Sequence, residues 1–545
     1  MKRVFVWSFF SAGLLCSLCF APVTSAQDAP KPYDPSQQTP SIWKQLPEII
    51  PVATDDGGLD VAWLDHSETP AKLYLSHFTK GVNGYTRTSS NQLEGLGLLA
   101  GFTRDNKGNT YYMTAEPSAE GKEEDPKTIS LYKNDQVFWN FQIQDGDSPP
   151  TPPKLPFDNG TSRIVTGAGK LFVDINLLPA HAYNVILDLD NPDVNATRYA
   201  RETLYHHNMG QSAMFDGKDF VAIENRDHEV TLSMMKFSPT EKYPFEPYAE
   251  RLRSVYTRTN NGNSVFTELG GIAPGIDDSN GYLVLFSSER DWDNQMAGLT
   301  TPGQQTGLGG QISPRDLAVI HVKKDFDKQT INWKGTPQEL ADSGMSISQA
   351  PKLVDTTSVV NSIGTGRTVS YQAANDGWDW PNYNADIAKL VASGDLAQRQ
   401  HKTAGVNWLT NYGVPFQTTR QVPAIGKVFT TVSHPKLVRI APNKYIAVWE
   451  ECEAQRATWD KVMSDLTYKT TKAMMLTLAA QGQNVSITKG AVKDLGKVRL
   501  MASDDPINLG GKAAWITGDE VGKALKINTL DTNLNLQSFV LPVAQ

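Results

Sequence analysis

The sequence predicts an all-β fold built from about seven copies of one strand–turn–strand unit. Short runs of aromatic and β-branched residues alternate with polar residues at a period of two, which is typical of strands. Turns that contain Gly, Asn or Asp separate these runs, and helical periodicity is nearly absent. Where no insertion intervenes, the units start about every 50 residues, which indicates a repeat architecture.

The N-terminus has the pattern of a secretory signal peptide over residues 1–26. Lys2 and Arg3 precede an apolar run over residues 4–21, and a small-residue cleavage pattern ends at Ala26. The alternative is a retained membrane anchor, because the apolar run is nearly long enough to span a bilayer. The first interpretation predicts an exported protein, periplasmic or extracellular, that continues with a Pro/Gln-rich segment over residues 27–50.

Charge, hydropathy and cysteine content argue against a nucleic-acid partner, a second membrane span and an internal disulfide. The formal net charge is −8, and no Lys/Arg-rich run is present, which argues against binding nucleic acid. After Ala26 no apolar run reaches the length of a membrane span. If Cys16 and Cys19 leave with the signal, Cys452 remains alone, so we expect no internal disulfide and interpret Cys452 as a small buried residue rather than a reactive thiol.

The repeat fills a predicted domain over residues 51–545. A single four-stranded sheet cannot cover both of its faces, whereas sheets stacked around an axis bury them against each other. We therefore predict a β-propeller of about seven blades, with a pair of large β-sandwiches as the alternative. The copies in order are 59–78, 96–143, 163–188, 212–237, 271–322, 435–484 and 498–528.

Two stretches interrupt the repeat and are predicted insertions. Residues 293–315 are rich in Gly, Gln and Thr, which is typical of a long loop. Residues 330–432 are longer and contain the best helix candidate, 384–393, so the propeller is expected to carry a long, partly helical insertion. Long insertions on a repeat scaffold often carry function.

This pattern of strands and turns resembles that of secreted bacterial β-propeller proteins over most of residues 55–535. The resemblance is at the level of architecture, because neither WD nor kelch signatures are present. It implies an exported propeller and no particular activity.

Histidines concentrate near the fourth copy, where we place the candidate catalytic residues His206, His207 and Asp227. Neighbouring histidines on an extended chain point to opposite sides, so at most one of the pair faces a central channel. With His181 or His228 they could bind a metal, or one of them could act as a general acid or base. The alternative is a structural role in a loop that also holds Gln211, a candidate ligand contact.

The second insertion contains an aromatic and acidic cluster that could bind a sugar. Sugar rings stack on aromatic faces while acids and amides bond the hydroxyl groups, and two carboxylates could form a glycosidase pair. The alternative is that the aromatic side chains anchor the insertion to the scaffold. The candidate ligand-binding residues are Asp376, Trp378, Asp379, Trp380 and Tyr383, with Asp291 and Asp293 as further acids.

Two acidic runs are candidates, one for a cation site and one for the propeller rim. Residues 188–193 hold clustered carboxylates that could bind calcium, although Pro192 stands where an EF-hand needs a ligand and the alternative is a solvated turn. Calcium is thus the only cofactor indicated, and the metal content is otherwise unknown. Residues 450–453, Glu-Glu-Cys-Glu, are expected to form a solvated edge near the rim.

The function predicted from these observations is that of a secreted ligand-binding or interaction protein, with a small molecule or glycan as its partner. The alternatives are an exported hydrolase or lyase acting on a sugar or polymer, and a structural surface protein. No phosphate-binding loop, Gly-x-Ser-x-Gly elbow or His-Glu-x-x-His helix is present in the sequence, so the common cofactor and serine-hydrolase classes lose support.

Overall fold

The structure is a computed structural model. Its described residues all belong to one compact unit of the chain, Asp34–Gln545. The predicted signal peptide, residues 27–48 of the predicted Pro/Gln-rich segment 27–50, and the helix candidate 384–393 lie outside them. The described residues are 49–65, 72–95, 98–115, 129–141, 163–177, 181–191, 197–202, 213–226, 229–235, 251–257, 268–276, 281–289, 314–322, 406–413, 428–455, 466–481, 484–500, 505–518 and 525–542.

The described residues form seven antiparallel sheets, numbered here in chain order. Sheet 1 contains β1 (Ile49–Ala53), β2 (Leu59–Asp65), β3 (Lys72–Gly81) and β4 (Gly84–Gln92). Sheet 2 contains β5 (Leu98–Arg104), β6 (Thr110–Ala115), β7 (Ile129–Lys133) and β8 (Gln136–Phe141). Sheet 3 contains β9 (Arg163–Gly167), β10 (Lys170–Leu177), β11 (His181–Asp188) and β12 (Thr197–Glu202).

The remaining four sheets repeat this plan. Sheet 4 contains β13 (Ala213–Phe215), β14 (Phe220–Arg226), β15 (Glu229–Met235) and β16 (Arg251–Thr257). Sheet 5 contains β17 (Glu268–Pro274), β18 (Tyr282–Glu289), β19 (Arg315–Val322) and β20 (Val406–Trp408). Sheet 6 contains β21 (Val428–Ala441), β22 (Lys444–Gln455), β23 (Thr467–Gln481), β24 (Asn484–Lys489) and β25 (Lys493–Gly496). Sheet 7 contains β26 (Ile507–Asn508), β27 (Ala513–Gly518), β28 (Leu525–Leu530) and β29 (Leu536–Leu541).

Every sheet is a meander in which consecutive strands are hydrogen-bonded neighbours. The one addition is β25, which pairs with β23 and makes sheet 6 five-stranded. The described part of the chain contains no helix, and therefore none long and apolar enough to cross a membrane. The all-β prediction is confirmed, and these repeated four-stranded sheets are consistent with propeller blades.

The first strands of successive sheets contact one another and close a ring. Contacts run from β1 to β5, β9, β13, β17, β21 and β26 in turn, and β26 contacts β1. First strands therefore lie around the axis. Gly270 shows how closely two of them approach, because a Cβ placed there would lie 3.0 Å from the Cβ of Pro435 in β21.

The hydrophobic cores lie between neighbouring sheets rather than within one. Leu283, Leu285 and Leu317 of sheet 5 share a core with Leu437 and Trp449 of sheet 6. Separate clusters join sheets 6 and 7, sheets 1 and 2, sheets 2 and 3, and sheets 4 and 5. Because successive side chains of a strand point to opposite faces of its sheet, each sheet contributes one face to each of two cores. Both faces of a sheet are therefore buried by the neighbouring sheets.

Within the described residues, the ring closes through side-chain packing, and no strand is exchanged between sheets 1 and 7. Sheets 1 and 7 each consist of strands consecutive in sequence. Their shared core includes Val61 and Phe78 from sheet 1 and Ile516 and Ile527 from sheet 7.

Candidate functional site

The two faces of the ring differ in their connections. We call the side on which the first strands begin the upper face, and the opposite side the lower face. Strands alternate in direction, so third strands also begin at the upper face. Tight turns closed by Asp side chains lie at the lower face: Asp105 accepts the N–H groups of Lys107 and Asn109, and Asp531 accepts those of Asn533 and Asn535.

Most of the longer intervals between described residues are flanked by strand ends at the upper face: 116–128, 142–162, 203–212, 258–267, 290–313, 414–427 and 456–465. Two others, 236–250 and 323–405, are flanked by strand ends at the lower face. Connections carry sites while the scaffold supplies rigidity, so the upper face is the first place to search for function.

Three charged side chains from distant parts of the ring meet at its axis on this face. Asp505, two residues before β26, accepts hydrogen bonds from Arg163 Nε at 3.0 Å and from Lys436 Nζ at 3.1 Å. Arg163 begins β9 of sheet 3 and Lys436 lies in β21 of sheet 6, so this contact crosses the centre of the ring. We call these three residues the axial ion cluster.

The axial ion cluster keeps its carboxylate ionised. Burial alone would raise the pKa of Asp505, but the charges of Arg163 and Lys436 and their hydrogen bonds lower it to about 2. Lys436 is 4% exposed and Asp505 is 39% exposed. Two cations thus meet at one carboxylate.

A second polar cluster joins sheets 5 and 6. Glu268, the first residue of β17, accepts hydrogen bonds from Ser433 Oγ at 3.1 Å, from the His434 backbone N–H at 3.0 Å and from Ser287 Oγ at 3.4 Å. Its carboxylate also pairs with Arg315, whose NH1 lies 3.4 Å away. Both charged side chains are 4% exposed, so their charges are compensated inside the protein.

His434 stands beside this cluster and is paired with Glu450. Its Nδ1 lies 3.3 Å from Glu450 Oε2 and 3.1 Å from Ser433 Oγ. Glu450 Oε1 accepts hydrogen bonds from Arg499 Nε and from the Leu500 N–H, each at 2.8 Å. Burial alone would raise the pKa of Glu450, but His434 and Arg499 hold it below its usual value, so the buried carboxylate is ionised.

The backbone at His434 is unusual. Its φ is +48°, in the left-handed region that non-glycine residues seldom adopt. The register between β21 and β22 shifts between Ser433 and Lys436, which makes His434 and Pro435 a β-bulge. Bulges and positive φ values occur often beside functional sites, and Glu268 holds this one through the His434 N–H.

The site residues predicted from sequence cannot be compared with these clusters. His206, His207, Asp227 and Gln211 lie outside the described residues, and so do Asp376, Trp378, Asp379, Trp380 and Tyr383. Among the residues of the calcium candidate, Asp188 accepts a hydrogen bond from Lys170 Nζ at 2.9 Å and caps the Asp190 N–H. In the described part of the chain no group of three or more metal-ligating side chains occurs.

The acidic run at residues 450–453 is not the solvated edge expected from sequence. Glu450 and Cys452 are fully buried, whereas Glu453 is 42% exposed. The physical reason is that Arg499 compensates the Glu450 carboxylate inside the protein, and Cys452 lies on the same face of β22. The burial of Cys452 agrees with its interpretation as a small interior residue.

Sequence reasoning did not find the axial ion cluster or His434. One local signal was available: Ser-His-Pro at 433–435 interrupts the β-branched pattern of a long strand, and Pro within a strand indicates a bulge. The axial ion cluster has no local signal, because Arg163 and Asp505 are 342 residues apart.

No known protein family and no curated protein matches the chain. Among solved structures it is similar to a protein of unknown function from Dyadobacter fermentans, at 8% identity and a TM-score of 0.33, over 81% of this chain and 95% of that one. It is similar to the β-propeller domain of the trilobed protease from Pyrococcus furiosus, at 7% identity and a TM-score of 0.32, over 92% and 97% of the two chains.

A third similar structure is that of a prolyl endopeptidase, at 8% identity and a TM-score of 0.32. The similarity covers 90% of this chain and 47% of the endopeptidase. The chain therefore resembles β-propeller domains at low identity, and the closed ring of repeated four-stranded sheets is itself the basis for assigning the fold.

Proposed function

We propose that this chain is an exported binding protein, periplasmic or extracellular, that holds an acidic ligand at the upper end of its axis. The scaffold is a seven-bladed β-propeller with a long, partly helical insertion in its fifth blade. The candidate ligand is a glycan that carries carboxylate groups, such as a uronate. The observation that carries the proposal is the axial ion cluster, in which Arg163 and Lys436 from opposite sides of the ring meet one carboxylate.

The charges explain why an acidic ligand fits. Arg binds carboxylates through two parallel N–H···O bonds, and Lys adds a point charge. Asp505 holds both cations in place in the absence of ligand, and its 39% exposed side chain lies where a ligand carboxylate would compete for them. A neutral ligand would form no charge-assisted hydrogen bond with these two cations.

The experiment compares a short oligouronate with a neutral oligoglucose of equal length by isothermal titration calorimetry. The oligouronate should bind and the oligoglucose should not. Arg163→Gln and Lys436→Gln should each weaken binding by at least about tenfold. Asp505→Asn should strengthen it, because it removes the competing carboxylate. Lys469→Gln, at a solvent-exposed pair with Glu453, is the control.

Weaker binding in the two cation variants and stronger binding in Asp505→Asn would distinguish an effect at the axis from a general loss of folding. Circular dichroism checks that each variant is folded. Equal binding of both oligosaccharides, or unchanged affinity in folded Arg163→Gln and Lys436→Gln proteins, would rule out the proposed site.

An exported hydrolase is the second candidate function. It is favoured by a histidine whose Nδ1 faces a buried carboxylate, since this pairing orients many catalytic histidines.

A further inference from the structure

We propose that His434 is a proton acceptor through its Nε2 atom, with Glu450 as its positioning residue, in a hydrolytic site that takes carboxylic esters. This activity goes beyond ligand capture at the axial ion cluster and uses different side chains.

The first argument is the orientation of the imidazole. Nδ1 faces Glu450 Oε2 at 3.3 Å and Ser433 Oγ at 3.1 Å, whereas no group among the described residues bonds to Nε2. An ionised carboxylate beside Nδ1 favours the tautomer that carries its proton there. Nε2 then has a free lone pair, and the residue keeps 8% of its surface exposed.

The second argument is that the carboxylate is fixed. Glu450 is fully buried, and Arg499 Nε and the Leu500 N–H hold its other oxygen, so the carboxylate cannot turn away from His434. The same arrangement, a buried carboxylate that sets the tautomer and orientation of a histidine, supports general-base catalysis elsewhere.

The third argument is the strained backbone. A φ of +48° at a histidine costs free energy that the fold must offset, here through the bond from the His434 N–H to Glu268. The bulge redirects His434 relative to the regular alternation of β21.

Ser433 is not the nucleophile in this arrangement. Its Oγ lies at Nδ1 rather than Nε2, and it donates to Glu268 Oε1. Water is therefore the nucleophile. Nε2 removes a proton from water as the water oxygen bonds to the ester carbonyl carbon. The tetrahedral adduct then collapses, the bond to the alkoxy oxygen breaks, and the imidazolium returns the proton to that leaving oxygen.

Charged groups around His434 are themselves compensated. Glu450 is paired with Arg499, and Glu268 with Arg315. Lys436, two residues along β21, is bound to Asp505. His434 thus lies beside ion pairs that already have their partners.

The test uses the full chain and p-nitrophenyl acetate, followed by absorbance between about pH 5 and about pH 8. The wild-type protein should hydrolyse the ester faster than buffer alone. His434→Gln should lower the rate at least about tenfold. The matched control is His77→Gln, because His77 Nδ1 also bonds a carboxylate, that of Asp60, at 2.6 Å, and His77 is more exposed.

Glu450→Gln tests the positioning role, and Glu450→Asp serves if the first variant fails to fold. Loss of the carboxylate should lower the share of His434 that carries its proton on Nδ1, which ¹⁵N NMR of labelled histidines detects. Hydrolysis that is absent in the wild type, or unchanged in His434→Gln, or lost in His77→Gln, overturns the proposal. Oligouronate binding should persist in His434→Gln, so a failure of ester hydrolysis is distinct from a failure of the proposed binding function.

Discussion

The carboxylate of Glu268 accepts the backbone N–H of His434 at 3.0 Å, across the boundary between sheets 5 and 6. The bond joins the first residue of one inner strand to the bulge of the next. It satisfies a donor that the bulge removes from the β21–β22 ladder. One buried carboxylate thus links ring assembly to the conformation of the candidate catalytic histidine.

Replacing Glu268 should strongly destabilise the protein. Glu268→Ala leaves the buried Arg315 without its partner and removes the acceptor of Ser433 and His434. Removing one member of a buried ion pair costs about 3–5 kcal/mol of unfolding free energy. Urea denaturation measures this. Glu453→Ala, at an exposed pair with Lys469, should cost less than about 1 kcal/mol. Equal urea midpoints for Glu268→Ala and Glu453→Ala would contradict a stabilising role of Glu268.

The close approach of the inner strands predicts a steric effect at Gly270. A Cβ there would lie 2.8 Å from a Leu285 methyl carbon and 3.0 Å from the Pro435 Cβ, too close without a shift of the strands. Gly270→Ala should therefore destabilise the protein by about 1–3 kcal/mol. At Gly81, the last residue of β3, the nearest atom would be 3.6 Å away, and Gly81→Ala should stay within about 0.5 kcal/mol of wild type in the same denaturation experiment.

The fold was predictable because its signals are local. Period-two alternation between Asp-, Asn- and Gly-containing turns, as at Asp105–Asn109, depends on neighbouring residues alone. The polar clusters were not predictable in this way. Arg163 meets Asp505 only because sheets 3 and 7 belong to one ring, and strand alternation alone does not show that Glu450 points into the protein.

Acid should weaken the ring through its buried carboxylates. The pKa of Asp505 is lowered to about 2 in the folded protein, against about 4 in an unfolded chain. A lowered folded pKa means that the stabilisation is present above about pH 4 and is lost as the pH falls towards about 2. The pKa of Glu450 is also lowered, so protonation of Glu450 should likewise reduce the stability of the folded protein in acid.

The measurement is the melting temperature of wild type and Asp505→Asn between about pH 6 and about pH 2. Wild type should be more stable near neutrality, and the difference between the two proteins should shrink as Asp505 becomes protonated. A difference in melting temperature that stays constant over this range would show that Arg163 and Lys436 do not lower the pKa of Asp505. Glu453→Gln, at an exposed pair, serves as the matched carboxylate control.

Closure of the ring predicts an energetic coupling between its first and last sheets. The rings of Tyr85 in β4 and Phe539 in β29 meet edge to face, with centroids 6.0 Å apart. A double-mutant cycle on Tyr85→Leu and Phe539→Leu should give a coupling of about 0.5–1.5 kcal/mol, the value typical of aromatic pairs. The matched cycle combines Tyr85→Leu with Phe138→Leu, whose ring pairs with Tyr111 within sheet 2, and should give none. Among the described strands none is exchanged between sheets 1 and 7, so side-chain contacts such as this one hold these parts of the two sheets together. A zero coupling for Tyr85 and Phe539 would show that this aromatic pair does not contribute to closure of the ring.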